Sequence, residues 1–415
     1  MTAFSDQPSG PSARRKATGT SIAAAGVLAA VLLARSLAFG ALELPSRLAD
    51  DEFWALVTDF SEVGGTFPSN NYVSNEVEFQ SVIPRLRETV KPGGVYVGVG
   101  PDQNFTYITA LRPAVAFIVD IRRQNLIHHL LYKALVELAP DREAFVARLF
   151  SRPLDVEVPP TSDIREIFDR AIGRPPDAMA YRRNLRDVLD QLTRVHGFPL
   201  TPDDRQVLDK VYSAFYEFGP EINYAPLTFG RSPTAAWLNV STPFPSFAEL
   251  QTMSARDGEN HAYLASEDTY AALRDMQLRN LIVPVVGDFA GDRALRAVGD
   301  WVRERKAVVT TFYTSNVEQY LFQNNVWREY YGNVATMPID PTSTFIRSHF
   351  PSGAYIPLAP PVIIMPNGQA RTVLAPRLRS RFVESSTLLH PVHELLAAVA
   401  AAEVNTYRDV IGRSR

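Results

Sequence analysis

The run Gly94-Val95-Tyr96-Val97-Gly98-Val99-Gly100-Pro101-Asp102-Gln103-Asn104 decides the fold class of this chain. An apolar segment leads into a glycine turn, where a helix is predicted to begin. A second apolar segment, Ala116-Phe117-Ile118-Val119-Asp120-Ile121, contains a carboxylate 20 residues after Gly100. In open α/β sheets this spacing places a carboxylate at the strand ends that hold the ribose of a nucleotide-like ligand. The alternative is a plain tight turn between a strand and a helix.

Apolar segments alternate with amphipathic ones in two parts of the chain. Strands are predicted at 95–99, 114–120, 281–287 and 307–313, with a further strand near 333–337. The helices predicted in these parts and before them are 48–60, 74–90, 103–111, 122–139, 267–279, 292–305 and 316–323. Strands that are apolar throughout and alternate with helices indicate a mostly parallel sheet covered on both faces. The sequence therefore predicts an α/β fold of the Rossmann-like type.

The rest of the chain is predicted to elaborate this sheet. Residues 140–265 are interpreted as a large helical insertion, because the flanks at 93–139 and 266–340 continue one βαβ rhythm. Residues 355–412 are predicted to form a hairpin turning at Asn367-Gly368, followed by a helix from about His390 to Val410. Residues 46–415 are thus expected to be a single domain.

The N-terminus has the pattern of a targeting segment. Three basic residues, Arg14 to Lys16, precede the uncharged and mostly apolar run 17–34, and small residues follow up to Ala41. Residues 1–45 are therefore predicted to be a secretory signal peptide or an uncleaved membrane anchor, which would leave the body outside the cytoplasm. The alternative is a disordered tail followed by an alanine-rich surface helix.

Composition narrows the class of partner. The 415-residue chain has 42 basic and 45 acidic residues, for a net charge of −3, so no global basic field would attract nucleic acid. The chain has no cysteine, which excludes disulfides and thiolate metal sites. We expect no metal cofactor and no nucleic-acid partner, but a small-molecule or nucleoside-like ligand.

The glycine turn argues against a dinucleotide. Gly98 and Gly100 would let the backbone approach a ligand closely. However, Gln103 stands where dinucleotide-binding turns need a third glycine, and Asp102 would repel a pyrophosphate at the helix N-terminus. S-adenosylmethionine has no phosphate, and its ammonium and sulfonium groups are positive, so this cofactor would tolerate Asp102 beside it.

Other predicted strand ends bear polar groups. Asp120 could accept both ribose hydroxyls or cap the following helix, and Asp288 could accept from an adenine amine or cap the next helix. Phe289 could pack on the adenine ring. At the fourth strand end, Ser315 or Asn316 could cap a helix or face a substrate, and Asn316 is a candidate catalytic residue. Four polar strand ends together favour a lined crevice.

Several further polar residues have weaker roles. The run Asn70 to Glu76 could form another wall of the crevice. Arg122-Arg123 is expected on a solvated face, with a contact to Asp120 or to an acidic substrate as the alternative. His261 is the candidate general base, if its loop lies over the crevice. Adjacent histidines His128-His129 cannot chelate one metal as a pair, and His390 with His393 is expected on a surface helix.

The order of these motifs resembles the class I S-adenosylmethionine-dependent methyltransferase fold over about 93–139 and 266–337. The resemblance implies that Gly98, Gly100 and Asp102 lie near the methionine part of the cofactor. It implies Asp120 near the ribose and Asp288 near the adenine. Some positions depart from the family pattern. Gly98 stands where an acidic residue is usual, Asp102 and Asn104 replace further glycines, and no Asn-Pro-Pro-Tyr or Asp-Pro-Pro-Tyr sequence follows the fourth strand.

Most of the chain after the N-terminal segment is also similar to a bacterial family of hypothetical proteins without an assigned activity. The residues that show this are Phe60-Ser61-Glu62, Ser69 to Glu76, Asp120 to Asn125 and Ser315 to Tyr320. This resemblance supplies no substrate. The functional hypothesis is a methyltransferase-like protein that binds S-adenosylmethionine through Gly98–Asn104, Asp120, Asp288 and Phe289. The alternative is an exported or membrane-tethered binding protein without the reaction, because a cytoplasmic cofactor and an export leader are at odds.

Overall fold

The apolar segments around the glycine turn form neighbouring strands of one sheet. In the computed structural model, β1 (Val95–Gly98) pairs in parallel with β2 (Val115–Asp120), with Val95 opposite Val115. All residues of both strands are buried, which is why the sequence shows no polar alternation there. The structure describes residues 43–67, 69–154, 163–224, 244–350 and 385–414, and the backbone of 362–364 and 370–372.

Four further strands complete the sheet. They are β3 (Ile282–Val286), β4 (Val309–Ser315), β5 (Thr344–His349) and β8 (Ser386–Pro391), and the strand order is β3-β2-β1-β4-β5-β8. All pairs are parallel except β5 with β8. The order reverses between β1 and β4, and such a switch point opens a crevice at the carboxyl ends of the strands. The predicted α/β class with a mostly parallel sheet is confirmed.

Helices surround the sheet. In chain order they are α1 (Asp50–Asp59), α2 (Ile83–Thr89), α3 (Gln103–Leu111), α4 (Arg123–Leu138), α5 (Arg142–Phe150), α6 (Ile164–Ile172), α7 (Ala178–Asp190), α8 (Pro202–Phe218), α9 (Phe247–Thr252), α10 (Glu267–Leu278), α11 (Ala294–Glu304), α12 (Val317–Gln323), α13 (Trp327–Ala335), α14 (Val392–Ala400) and α15 (Tyr407–Arg413). Helix α10 packs on α3 and α4, whereas α11 packs on β2 and α13.

The inserted helices share the hydrophobic core of the sheet. Helix α8 packs along α4, and Phe215 on α8 contacts the ring of Phe150 on α5 and that of Phe247 on α9. These side chains belong to the same buried cluster as the strands. The residues from Glu43 onward form one compact unit.

Two predicted elements differ in the structure. The helix expected over 74–90 is a loop, a 3₁₀ turn (Phe79–Val82) and then α2, because Pro84 lies in the first turn of α2, where its missing N–H costs nothing. The strand expected near 333–337 is wrong. Those residues end α13, whose buried side chains include Tyr330 and Val334 at helical spacing, and the fifth strand is β5.

The C-terminal prediction was also partly wrong. His390 is a buried residue of β8, paired opposite Phe345, and is not on a surface helix with His393. The helix begins only after Pro391 and is interrupted before α15, where Ala402 adopts a left-handed backbone. The predicted hairpin is present as β6 (Val362–Ile364) paired antiparallel with β7 (Ala370–Thr372), and its turn lies outside the described residues.

Almost all of the predicted leader, residues 1–45, lies outside the described part of the chain. Within the part that is described, no helix combines the length and apolarity needed to cross a membrane.

Candidate functional site

A segment of the chain itself runs along the carboxyl edge of the sheet. We call residues 61–76 the edge segment; Pro68 within it is not described. At the end of β3, the backbone N–H of Val286 donates to Ser61 Oγ (2.9 Å), and the N–H of Glu62 donates to the Val286 carbonyl (3.0 Å). After β2, the N–H of Gly65 donates to the carbonyl of Ile121 (2.7 Å).

The second half of the edge segment reaches β1 and β4. The side-chain amide of Asn71 lies over Gly100, since a Cβ placed on that glycine would be 3.8 Å from Asn71 Nδ2. Glu76 then contacts Gln103 after β1 and Tyr313 on β4. The edge segment therefore crosses β3, β2, β1 and β4 in their order in the sheet and ends at the switch point.

Glu76 lies between the two strands of the switch point. Its side chain accepts from Gln103 Nε2 (2.6 Å), from the Tyr313 hydroxyl (2.8 Å) and from the Ser315 hydroxyl (2.5 Å). The residue is only 2% exposed. Among the described residues no lysine or arginine forms an ion pair with it. A buried carboxylate without a cation partner is costly, so it is a candidate functional group.

Two residues at this edge have an unusual backbone. Asn71 (φ 47°) and Ser315 (φ 51°) adopt the left-handed region, which is unfavourable for residues other than glycine. The remaining described non-glycine residues with positive φ follow a helix by one or two positions, where this conformation is common. They are Arg112, Ser151, Asn280, Lys306, Asn325 and Ala402. The two left-handed residues that no helix end explains therefore lie at the switch point.

The glycine turn is held mainly by its own residues. A Cβ on Gly98 would lie 2.0 Å from Asn104 Oδ1, so the space beside this glycine is filled by protein. Asn104 donates to the carbonyls of Val99 (2.9 Å) and Pro101 (2.7 Å) and accepts from the Tyr96 hydroxyl (2.9 Å). A Cβ placed on Gly100 (φ 81°) would meet only the side-chain amide of Asn71, at 3.8 Å. In this turn, Gly100 is therefore less crowded than Gly98.

Asp102 faces away from the strand ends. Its carboxylate is buried and accepts from the Tyr263 hydroxyl (3.0 Å) and from Gln251 Nε2 (3.2 Å), two residues of the insertion. Burial raises the pKa of Asp102 to about 7, although the bond from Tyr263 opposes this shift. Asp102 is thus enclosed by the insertion, whereas the family resemblance implied that it lies near the methionine part of the cofactor.

Asp120 is paired with Arg122. Arg122 donates to Asp120 from its backbone N–H, Nε and Nη2, each at 2.9 Å, and from Nη1 to the carbonyls of Ser69 (3.1 Å) and Asn70 (2.8 Å). Arg122 is 7% exposed, so the expected solvated face is wrong for it and the alternative, a contact with Asp120, is confirmed. Arg123 lies on a solvated face as expected, where it pairs with Asp204. A carboxylate has about four acceptor positions. Asp120 therefore retains one position, enough for one ribose hydroxyl.

Protein groups also fill part of the space at the end of β3. Asp288 is half-buried and its Oδ1 accepts from the N–H of Ala290 (2.9 Å), while its own N–H donates to Glu62 (2.7 Å). Burial and the nearby charge of Asp288 raise the pKa of Glu62. Phe289 is buried and stacks on Tyr330 with centroids 5.6 Å apart, so its ring is not free to pack on an adenine.

Next to this strand end lies an open cavity of about 380 Å³. Its lining combines apolar and charged side chains, among them Trp54, Val57, Glu62 and Arg123. This volume is near the lower end of the range for small-molecule sites, and it would admit a nucleobase.

The histidines lie elsewhere. Arg87 contacts His261 Nδ1 (3.5 Å) and the carbonyl of Ala110 in the last turn of α3, so His261 lies beside the far end of that helix. Its Nε2 contacts Asp257 (2.8 Å). Burial lowers the pKa of His129 to about 4, and its Nε2 bonds to the Gly100 carbonyl (2.8 Å). Over the described ranges, no group of three or more potential metal ligands occurs.

Asn316 lies at the N-cap of α12 without a side-chain capping bond. Its Oδ1 is 3.5 Å from the Ser315 hydroxyl, and the side chain is half-buried. The structure thus brings Gly100, Ser315 and Asn316 to the switch point and leaves Asp102, Phe289 and His261 apart from it. Sequence reasoning missed the central place of Glu76. The polar run Ser69 to Glu76 was the available signal.

The comparisons with known proteins give a family without a known activity. A family model described as a domain of unknown function (DUF7790) matches residues 71–195 and 235–360, which together make up more than half of the chain. A search of curated proteins gave no match. The matched residues include the glycine turn, Asp120 with Arg122, and the β4 end with Ser315. The chain therefore belongs to the family described as the domain of unknown function DUF7790.

Proposed function

We propose that the protein binds a small nucleoside-like molecule, S-adenosylmethionine or a relative, along the carboxyl edge of the sheet. The observation on which this rests is the switch point between β1 and β4. There the open side of Gly100 faces Asn71, whose side-chain amide has no hydrogen-bond partner among the described residues. In open α/β sheets such a crevice is where ligands bind.

The geometry supports a particular arrangement of this ligand. The cavity beside β3, with Trp54, Val57 and Glu62 in its lining, suits the adenine. The remaining acceptor position of Asp120 suits one ribose hydroxyl. The amino-acid part would then lie over Gly100. A carboxyl edge that holds no phosphate-binding glycine loop favours a ligand without phosphates.

A second candidate is a binding protein that retains this fold without transferring a methyl group. The ion pair between Asp120 and Arg122 favours it, because the carboxylate is already neutralised inside the protein. An export leader at residues 1–45 would favour it as well, since the cofactor is cytoplasmic. Binding without methyl transfer to any acceptor is the result expected from this candidate.

Isothermal titration calorimetry of the full-length chain with S-adenosylmethionine and with its demethylated product tests the proposal. We expect binding in the micromolar to low millimolar range. Gly100→Ala should weaken it at least tenfold, because a Cβ would occupy the open side of the turn. Gly93→Ala is the matched control: Gly93 has the same φ of 81° but lies before β1, away from the edge.

Two results would contradict the proposal. One is the absence of any heat of binding at millimolar concentrations of both ligands. The other is an affinity for Gly100→Ala equal to that for Gly93→Ala, which would remove the turn from the site.

A further inference from the structure

Ser315 and Glu76 form a pair that ligand binding does not require. Ser315 ends β4 with its backbone in the left-handed region, and its hydroxyl donates to the buried carboxylate of Glu76. We propose that Ser315 is a nucleophile that takes up an acyl group from an ester or thioester, with Glu76 as the proton acceptor. This activity does not depend on the nature of the nucleoside-like ligand.

The backbone around Ser315 supports this role. Helix α12 begins at Val317, two residues later, so the serine occupies a sharp turn between a strand and a helix. The pairing of β4 with β5 also shifts register at this position. Such a turn lifts a side chain out of the sheet at the strand end, and left-handed strain at a half-buried serine is a feature found at reactive sites.

Glu76 meets the requirements for the base. The hydroxyl of Tyr313 and the amide of Gln103 fix its carboxylate from two sides, so the base is itself oriented by further groups. Two other buried carboxylates near this edge form ion pairs with arginines, Asp120 with Arg122 and Glu318 with Arg347. Glu76 instead accepts from the Ser315 hydroxyl and, among the described residues, forms no ion pair with a lysine or arginine.

The reaction balances without a further reagent. Ser315 Oγ attacks the carbonyl carbon, and its proton passes to Glu76 as the Oγ–C bond forms. Collapse of the tetrahedral intermediate breaks the bond to the alkoxide or thiolate, which leaves with the proton from Glu76. Water then attacks the acyl-serine, Glu76 takes a proton from it, and the proton returns to Ser315 Oγ as the acid is released.

Asn316 is placed to stabilise the oxyanion. Its side chain directly follows Ser315, is half-buried, and its Nδ2 has no hydrogen-bond partner among the described residues. One such side-chain donor accounts for roughly 10²–10³-fold in rate where it has been removed from other enzymes. We expect Asn316→Ala to slow acylation of Ser315 by about that factor.

A structural role for the same contacts makes different predictions. If Glu76 only fastened the edge segment to the sheet, Ser315 would be no more reactive than other half-buried serines. Ser61 is the matched comparison, because it lies on the same edge and its hydroxyl donates to the Val57 carbonyl instead of to a carboxylate.

The test is labelling of the full-length chain with an alkyl fluorophosphonate, with the modified residue identified by mass spectrometry. Attack of a serine hydroxyl on phosphorus expels fluoride and marks an activated serine. We expect one label on Ser315, no label in Ser315→Ala, unchanged labelling in Ser61→Ala, and at least a tenfold slower rate in Glu76→Gln. Absence of a label on Ser315 in the unchanged protein overturns the proposal.

Circular dichroism shows whether Glu76→Gln folds. If it does not, Tyr313→Phe tests the base instead: it removes one of the two donors that orient the carboxylate, so the labelling rate should fall several-fold. An unchanged or faster rate in this variant would contradict the role of Glu76. The fluorophosphonate contains no nucleoside, so the result of the labelling experiment is independent of the calorimetric result for S-adenosylmethionine.

Discussion

Among single residues, Asp102 shows most directly what burial does to a side chain. Its pKa in the folded chain is about 7, against an ordinary value of 3.8, because burial disfavours the charge. The folded state therefore binds a proton that the unfolded state has released. The free energy of unfolding should fall as the pH rises from about 4 to 7, and it should remain at this lower value above pH 7.

We accordingly expect Asp102→Asn to stabilise the protein at alkaline pH. The amide has no charge to bury and can still accept from Tyr263, while its NH₂ can donate to Gln251 Oε1, which has no partner among the described residues. Each pKa unit corresponds to about 1.4 kcal/mol, so the gain at pH 8 is at most about 4 kcal/mol and should vanish near pH 4.

Urea unfolding at several pH values measures this gain. Asp300→Asn on the exposed side of α11 serves as the control, with no expected effect. A variant Asp102→Asn that is less stable than the unchanged protein at pH 8 would show that the carboxylate is needed in its charged form.

The residues that sequence reasoning placed well are those whose role is local. The position of Gly100 in a tight turn could be predicted from the neighbouring residues alone. Asp120 was expected either to accept both ribose hydroxyls or to cap the following helix. In the structure it accepts from Arg122, which is oriented by the carbonyls of Ser69 and Asn70, some 50 residues earlier in the chain. No local pattern could reveal that contact, and the same holds for Glu76 with Ser315.

Among the elements, the edge segment is the one that determines the site. Its last contact is the pair Glu76 and Gln103, in which the amide NH₂ of Gln103 faces a carboxylate oxygen. In Glu76→Gln the new amide can keep this contact with its oxygen, but its NH₂ group then faces the hydroxyls of Tyr313 and Ser315, which donate to Glu76 in the unchanged protein. We expect a loss of about 1–3 kcal/mol in the free energy of unfolding, as for a buried hydrogen bond that is left unmade.

The reciprocal change should restore stability. In Glu76→Gln with Gln103→Glu, the carboxylate at position 103 can accept from the new amide and from the Ser74 hydroxyl, which already donates to Gln103. A double-mutant cycle by thermal or urea unfolding measures the coupling. Additive losses, with no recovery in the double variant, would show that the two side chains do not interact.

Helices and strands were predicted where one periodicity was clear, as for α3 and β2. The incorrect secondary-structure predictions concern segments whose composition suits a helix and a strand about equally. A strand was expected near 333–337, yet this segment ends α13, in which the rings of Trp327, Tyr330 and Tyr331 are buried against one another. In β8, pairing with β5 determined the structure around His390. Tertiary packing therefore determined the secondary structure of these segments.

At the scale of the whole molecule, the alternation of apolar strands and helices indicates a mostly parallel sheet. It does not determine the strand order or the switch point, because doubly wound sheets occur with more than one strand order. The run Asn70 to Glu76 was expected as a wall of the crevice, whereas the path of residues 61–69 across the ends of β3 and β2 could not be predicted, since nothing in that segment is periodic. Beside β3 this segment lines an open cavity of about 380 Å³.

The measurement that tests this account most directly is hydrogen–deuterium exchange of the full-length chain with and without saturating S-adenosylhomocysteine. Because the amino-acid part of the ligand is proposed to lie over Gly100 at the switch point and the adenine in the cavity beside β3, slower exchange is predicted in 98–104, 314–318 and 54–63, with a smaller effect in 69–76. Slower exchange confined to other segments, or identical exchange with and without ligand, would contradict the claim that the switch point is the binding site.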